Sequence, residues 1–311
     1  MLRESPQDPR HGQIRLGEIP RLTALEEGLV RVIAPNASPM TLDGTNTYLV
    51  YGRDRRCYIV DPGPSVAEHL AKVLEVVESK RLTPRGIVLT HHHIDHSEAA
   101  HSWAALFETP IFAAVLDDPG RDAVVLGEGD AIDIDGQRLT ARLTPGHTAD
   151  HLCFVLPSGR VLTGDHVLGR GTSVVAHPDG DLQDYISSLV KLNALGPKAI
   201  YPGHGPDLDE SSVGAVLDYY ISHRLYRIQQ VAAAFGESPT SIGDVVGAVY
   251  GQGIDPALFF AAELSTRAAI ALLVKRGYLQ DAGSGDSFVR TGSSIEELLQ
   301  GVMTMSRQRR D

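Results

Sequence analysis

The fold is decided by the stretch Thr90-His91-His92-His93-Ile94-Asp95-His96, which holds four imidazoles and one carboxylate in six consecutive residues. The run Gly86-Ile87-Val88-Leu89 before it is apolar and rich in β-branched residues, which predicts a buried strand that ends at Thr90. A loop at the end of such a strand can aim several side chains at one point. Because neutral imidazole and carboxylate groups are good ligands for zinc, iron or manganese, the stretch predicts a metal site.

Three more candidate ligands follow later in the chain, each at the end of a short apolar run. They are His147 in the segment 144–148, Asp165 in the segment 163–166 and His204 in the segment 201–205. A glycine precedes each of them, and a glycine lets the backbone approach a neighbouring group closely. We therefore expect all three side chains to meet the histidine-rich stretch.

The seven candidate ligands divide into two sites. The first site is expected to consist of His91, His93 and His147. The second is expected to consist of Asp95, His96 and His204. Asp165 has two carboxylate oxygens and can bridge the sites, so we predict two metal ions, most simply two Zn²⁺, with Fe or Mn as alternatives.

These residues, with this spacing, resemble the metallo-β-lactamase superfamily, whose H-x-H-x-D-H motif matches His91 to His96 residue for residue. The resemblance implies an α/β fold, an αββα sandwich of two sheets between two layers of helices. The glyoxalase-like branch of that superfamily carries aspartate at the position of Asp165, whereas many true β-lactamases carry cysteine there. Hydrolysis of β-lactams is therefore less favoured.

A closer resemblance is to the lactamase-beta-2 family, carried by Pro39 to Val50, by Thr-Pro-Gly-His-Thr at 144–148 and by Tyr-Pro-Gly-His-Gly-Pro at 201–206. Metazoan members of that family are single-stranded endoribonucleases, fungal relatives are acyl-carrier-protein thioesterases, and the family has a small C-terminal winged-helix-like domain. The resemblance implies that Asp61 orients the ligand cluster. The chain departs from the family at His92, where relatives usually have tryptophan at the edge of the site.

Hydrophobic spacing predicts the helices and the domain limits. The predicted helices are 66–79, 97–107 with Ser97 as N-cap, 182–195, 211–235, 242–250 and 256–275, the last two followed by a small hairpin at 277–279 and 287–289. The predicted division is a polar N-terminal tail at 1–20, a catalytic domain at 21–210, a helical, winged-helix-like domain at 211–295 and a C-terminal tail at 296–311.

Charge and composition limit the partners. The net charge is −11, but the segment from Ile221 onward holds nine Lys or Arg against nine Asp or Glu. This balance argues against tight non-specific nucleic-acid binding and favours a C-terminal domain that frames the active site. No apolar run reaches the ~20 residues of a membrane span, and the N-terminus lacks a signal peptide, so we expect a cytoplasmic protein. Cys57 and Cys153 are expected to be buried free thiols.

The expected reaction is hydrolysis by a hydroxide held between the two cations, with Asp95 and Asp165 as the catalytic carboxylates and Asp95 as proton acceptor. The substrate is expected to be a phosphodiester in single-stranded RNA, or a thioester or ester of a small acyl group. Two alternatives remain open at this point: a mononuclear iron enzyme like the persulfide dioxygenases, and a winged-helix binding protein with a vestigial metal domain. A homodimer is possible.

We predict that protein purified without added metal contains two metal ions per chain, most of them zinc, because seven ligands are available. Elemental analysis measures this directly. One tightly held iron per chain would instead favour the dioxygenase alternative.

Overall fold

The computed structural model describes residues 4–10, 16–115, 123–251, 256–283 and 285–308. Seven strands form a first sheet in chain order: β1 (Leu22–Glu26), β2 (Leu29–Ile33), β3 (Asn46–Tyr51), β4 (Arg56–Val60), β5 (Thr83–Val88), β6 (Ile111–Ala113) and β7 (Ala123–Val125). A second sheet has the order β12-β11-β10-β9-β8 and consists of β8 (Ala131–Ile134), β9 (Gln137–Leu143), β10 (Leu152–Val155), β11 (Val161–Gly164) and β12 (Ile200–Pro202).

Eight helices and a small third sheet complete the described part of the chain. The helices are α1 (Ala67–Lys80), α2 (Ile94–Ser97), α3 (Ala100–Phe107), α4 (Leu182–Ala194), α5 (Val213–Ala233), α6 (Ile242–Tyr250), α7 (Pro256–Lys275) and α8 (Ile295–Gln308). The third sheet has the order β13-β15-β14 and consists of β13 (Thr240–Ser241), β14 (Leu279–Asp281) and β15 (Ser287–Arg290). Within these residues, no helix is both long enough and apolar enough to cross a membrane.

The two large sheets pack face to face, because strands of the first sheet are apolar on both sides. Alternate residues of a strand point to opposite faces. On β2, Leu29 packs into the core between the two sheets, together with Phe154 of the second sheet. Its neighbour Val30 packs on the opposite side, in a cluster with Val73 of α1 and Trp103 of α3. This arrangement gives the αββα layers that the resemblance implied.

The outer face of the second sheet is covered by α4 and α5. Cys153 and Ile200 of that sheet lie in one hydrophobic cluster with Tyr185 of α4 and Tyr220 of α5. Cys57 and Cys153 are both buried free thiols, as expected.

Helices α6 and α7 have the predicted bounds, and the predicted hairpin is present, but its first strand is Leu279–Asp281 rather than 277–279. Val245 of α6, Leu273 of α7 and Val302 of α8 belong to the same hydrophobic cluster as α4 and α5. The C-terminal region therefore shares a core with the helical layer of the sandwich. The domain limits and the winged-helix-like assignment stay predictions.

The predicted C-terminal tail at 296–311 was wrong for the part that the structure describes, since residues Ile295–Gln308 form helix α8. The reason is visible in the spacing of Leu298, Leu299 and Val302, which places apolar side chains on one helical face. That face packs on the shared cluster, where Val302 is fully buried. The polar side chains between them had concealed the pattern.

Two other expectations need correction. Ser97 does not cap a helix at 97–107; it ends the short helix α2, and its hydroxyl donates to the backbone oxygen of His92 over 2.8 Å. Helix α3 begins only at Ala100, so the ligand stretch has its own helical turn. Within the expected N-terminal tail, Arg10 is only 5% exposed, and its guanidinium donates to the backbone oxygens of Leu168 and Gly171.

Candidate metal centre

The seven predicted ligands meet at one end of the sandwich, although they come from both sheets. The stretch from His91 to His96 follows β5 of the first sheet. His147, Asp165 and His204 follow β9, β11 and β12 of the second sheet. The site therefore exists only when the two sheets are packed together.

The first group brings together three imidazole nitrogens. Nδ1 of His93 lies 3.1 Å from Nε2 of His91 and 3.0 Å from Nε2 of His147. Three ring nitrogens that all approach one point within hydrogen-bond distance are the arrangement expected around a shared cation.

The second group combines two imidazoles and a carboxylate. Nε2 of His204 lies 3.2 Å from Nε2 of His96 and 3.1 Å from Oδ2 of Asp95. His96 and His204 are 0% and 1% exposed, whereas the side chain of Asp95 is 27% exposed. Asp95 is therefore the member of this group that reaches solvent.

Asp165 stands between the two groups. Its Oδ2 lies 3.8 Å from Nε2 of His147 in the first group. Its Oδ1 lies 3.3 Å from Nε2 of His96 and 3.4 Å from Nε2 of His204 in the second group. This buried Oδ1 has no hydrogen-bond donor among the described residues. A buried carboxylate oxygen without a donor is costly, and a cation would satisfy it.

The outward nitrogens of four histidines donate to fixed oxygens. Nδ1 of His147 donates to the Val174 carbonyl over 2.6 Å, and Nδ1 of His204 donates to the Gly44 carbonyl over 3.2 Å. A carbonyl can only accept, so Nδ1 of each ring carries a proton, and whenever the ring is neutral its lone pair lies on Nε2, which faces the site. Fixing the tautomer in this way is what a metal-binding histidine requires.

Asp61 fixes the other two of these histidines. Its Oδ2 accepts a hydrogen bond from Nδ1 of His96 over 2.9 Å and one from the Thr90 hydroxyl over 2.8 Å. Because the Thr90 hydroxyl donates its hydrogen to Asp61, it acts as the acceptor for Nδ1 of His91 over 3.0 Å. One carboxylate thus orients a histidine of each group, one directly and one through Thr90.

The electrostatics of the two groups differ. Burial lowers the pKa of His91, His93 and His147, so the first group is a set of neutral imidazoles. Burial also lowers the pKa of His204, but Asp165 and Asp95 outweigh it and raise this pKa to about 9. Burial opposes ionisation of Asp165, yet His204 and His96 hold its pKa well below the usual range. The second group therefore attracts positive charge.

Comparison with known proteins identifies the family of the chain. The family model described as the metallo-beta-lactamase superfamily matches residues 40–204, more than half of the 311 residues. The chain belongs to the metallo-β-lactamase superfamily. A beta-lactamase-like protein 2 homolog from Drosophila melanogaster is 31% identical over 292 residues, covering 86% of this chain and 95% of the relative. This match agrees with the resemblance to the lactamase-beta-2 family.

Two further relatives extend the comparison. An atrochrysone carboxyl ACP thioesterase from Pseudocercospora fijiensis is 30% identical over 248 residues, covering 77% of this chain and 72% of the relative. The crystal structure of a metallo-beta-lactamase family protein from Thermus thermophilus superposes with a TM-score of 0.72 at 20% identity, covering 86% of this chain and 100% of that one. At this identity, the second likeness shows the metallo-β-lactamase fold alone.

The glycines before the metallo-β-lactamase motif residues prove to be steric requirements. A Cβ at Gly203 would lie 2.5 Å from Oδ1 of Asp165. At Gly164, where φ is +46°, it would lie 2.6 Å from the Thr90 hydroxyl oxygen, and at Gly146 it would lie 2.2 Å from the Tyr185 nitrogen. The backbone next to each candidate ligand is therefore in direct contact with another part of the site.

The loop at 166–175 follows Asp165 directly and contains Val174, whose carbonyl accepts from His147. Two arginine side chains that are distant in the sequence hold this loop in place. Arg10 donates to the carbonyls of Leu168 and Gly171 over 2.6 Å each. The buried guanidinium of Arg224, on α5, donates to the Ser173 carbonyl. The N-terminal segment and the C-terminal region thus both support the candidate metal centre. The sequence did not predict these supporting contacts.

Two carboxylates at the rim were also missed. Oδ1 of Asp150 lies 2.9 Å from Nδ1 of His92, and Oδ2 of Asp179 lies 3.5 Å from Nε2 of the same ring. The Asp179 oxygen is also 3.9 Å from Nε2 of His93, the outward nitrogen of that ring. His92 is therefore a rim residue beside the first group. The motif could not indicate Asp150 or Asp179, because their loops meet the site only in the folded chain.

The other histidines near the site stay outside the two groups. Nδ1 of His151 lies 2.9 Å from the Thr144 hydroxyl oxygen. The buried ring of His166 packs at 4.8 Å, between ring centroids, from Tyr185. Both rings therefore lie beside the candidate ligands without belonging to either group.

We predict that Asp165→Ala releases metal and reduces activity by more than about 100-fold, since even loss of an outer hydrogen-bond partner costs roughly 10–100-fold. His166→Ala should retain its metal, because His166 lies in neither group. Elemental analysis after dialysis, with activity measured in parallel, compares the two variants. Equal loss in both would contradict the bridging assignment.

A second prediction concerns Gly203→Ala. The new Cβ would displace Asp165, so we expect metal affinity, measured by chelator competition, to fall roughly 10–100-fold. Gly214→Ala is the matched control, because Gly214 lies in α5 and a Cβ there meets nothing within 4 Å. Wild-type metal affinity in Gly203→Ala would show that the position of Asp165 is not critical.

Proposed function

We propose that this metallo-β-lactamase superfamily member is a di-metal hydrolase of thioesters. The observation that carries the proposal is the placement of Asp165, whose two oxygens face two separate groups of candidate ligands. Each group alone supplies three ligand atoms, and the carboxylate of Asp165 offers each group a fourth. Together with Asp165, the two groups supply a complete donor set for two adjacent cations.

The donor set decides which ions fit. Five imidazoles and two carboxylates, with no thiolate among them, suit zinc, iron or manganese. We propose zinc at both positions. When bound, two such cations would lower the pKa of a water that they share and polarise the oxygen of the scissile group.

The protein residues have their own tasks in this proposal. Asp165 holds the two groups at a fixed separation, and Asp61 keeps the rings of His91 and His96 oriented. Asp95 is the more exposed of the two carboxylates, with 27% against 13% for Asp165, so it can accept the proton of the water nucleophile and pass it to solvent.

Three observations favour a thioester over RNA. A relative that covers most of the chain bears the name of a thioesterase. The chain carries a net charge of −11, and its segment from Ile221 onward is neutral overall. A protein that binds several phosphates of a nucleic acid needs a cationic surface, and its affinity for the nucleic acid falls steeply with salt concentration.

Cleavage of single-stranded RNA is the second candidate, because the same pair of cation sites can hold one scissile phosphate. We expect weak RNA binding with a shallow dependence on salt. A single iron and persulfide chemistry is less favoured, since each of the two groups has candidate ligands of its own. A vestigial metal domain is also less favoured, because all seven candidate ligands converge.

The test is an activity panel on the full-length, metal-loaded protein: butanoyl and dodecanoyl thioesters of N-acetylcysteamine, single-stranded RNA, a lactone, a cephalosporin and glutathione persulfide. We expect thioester hydrolysis that a chelator abolishes and that Asp95→Ala reduces by at least about 100-fold. Chelator-sensitive cleavage of RNA without thioester hydrolysis would replace the proposal with the second candidate. RNA affinity measured across salt concentrations separates the two further.

A further inference from the structure

An apolar groove of about 520 Å³ runs between the loop at 177–182 and helix α7, and we call it the α7 groove. Its volume lies in the range of about 300–1,000 Å³ that is usual for small-molecule sites. Its apolar lining residues include Leu182, Ile242, Ala268, Ala271, Val274 and Phe288.

The α7 groove shares a wall with the candidate metal centre. His177, Gly180 and Asp181 line the groove, while Asp179, in the same loop, faces the ring of His93. A Cβ at Gly180 would lie 2.9 Å from the backbone oxygen of His147. The groove therefore begins at the backbone of the first group of candidate ligands.

Helix α7 gives the groove its shape. Ala268, Ala271 and Val274 recur at intervals of three residues, so they lie on one face of the helix. The two alanines leave space that larger side chains would fill. On the other sides, Leu182, Ile242 and Phe288 are buried in the hydrophobic core that α4, α6 and β15 share.

The basic residues that line the groove are already paired. Arg267 donates to Glu263 over 2.8 Å and lies 3.2 Å from Asp286. Lys275 lies 3.1 Å from Asp181. Because these charges are compensated by ion pairs, the lining carries no excess of positive charge and is otherwise mostly apolar, which suits an aliphatic chain better than a phosphate backbone.

We propose that the α7 groove binds the acyl chain of the thioester whose carbonyl group is presented to the metal centre. The inference rests on the proposed thioesterase function and extends it to a substrate class, the medium- and long-chain acyl thioesters. Chain-length selectivity is then set by helix α7, outside the metal-binding motifs.

The experiment compares butanoyl, octanoyl and dodecanoyl thioesters of N-acetylcysteamine on the full-length, metal-loaded protein. Each methylene that leaves water contributes about fourfold to binding. We expect kcat/KM to be at least about tenfold higher for dodecanoyl than for butanoyl. Ala271→Leu and Ala271→Trp should reduce this ratio stepwise toward one, because they fill the groove.

The control variant is Leu258→Trp, which adds an indole at an exposed position of the same helix and should keep the wild-type ratio. A measurement on the wild type needs no variant: dodecanoate should inhibit butanoyl hydrolysis at least about tenfold more strongly than butanoate. Equal inhibition, a wild type without chain-length preference, or an unchanged ratio in both Ala271 variants would overturn the groove assignment. Absence of all thioester hydrolysis would overturn the proposed function as well, so the two failures are distinguishable.

Discussion

The arrangement of the site depends on the hydrogen bonds that the buried carboxylate of Asp61 accepts. Its Oδ1 accepts the Thr90 backbone N–H over 2.8 Å, and its Oδ2 serves the Thr90 hydroxyl and the ring of His96. Asp61 itself adopts a left-handed backbone conformation, with φ of +50°, directly after β4. A buried charge is stable only when it is fully hydrogen-bonded, and here the partners are the elements that orient both groups of candidate ligands.

The second constraint is the relative position of the two packed sheets. Asn46 of β3 donates to the carbonyls of Pro202 and Gly205 on either side of His204, and Tyr48 also donates to Pro202. The first sheet thereby positions a candidate ligand that belongs to the second sheet. The segment at 39–50, which carries part of the resemblance to the lactamase-beta-2 family, therefore has a physical role: it holds the loop of His204 in place.

The parts of the chain beyond the sandwich contribute to the site from a distance. Arg10 and Arg224 bind backbone oxygens of the loop at 166–175, and helix α7 forms a groove beside the loop at 177–182. Both loops lie against candidate ligands, so the terminal regions contact the surroundings of the candidate metal centre without containing a candidate ligand. Superfamily membership alone specifies neither of these contributions.

The sequence by itself determined the fold class, the family and the seven residues that the structure brings together, because their spacing is local: each lies within a few residues of a strand end and a glycine. It also predicted most helices of the C-terminal region from their apolar period, but it missed α8, whose apolar stripe is interrupted by polar residues. Only the tertiary structure decided which oxygens fix the histidine rings, that Asp150 and Asp179 flank His92, that Arg10 is buried and that α7 borders a groove. These features depend on contacts between residues that are far apart in the chain, and no local period or motif encodes such contacts.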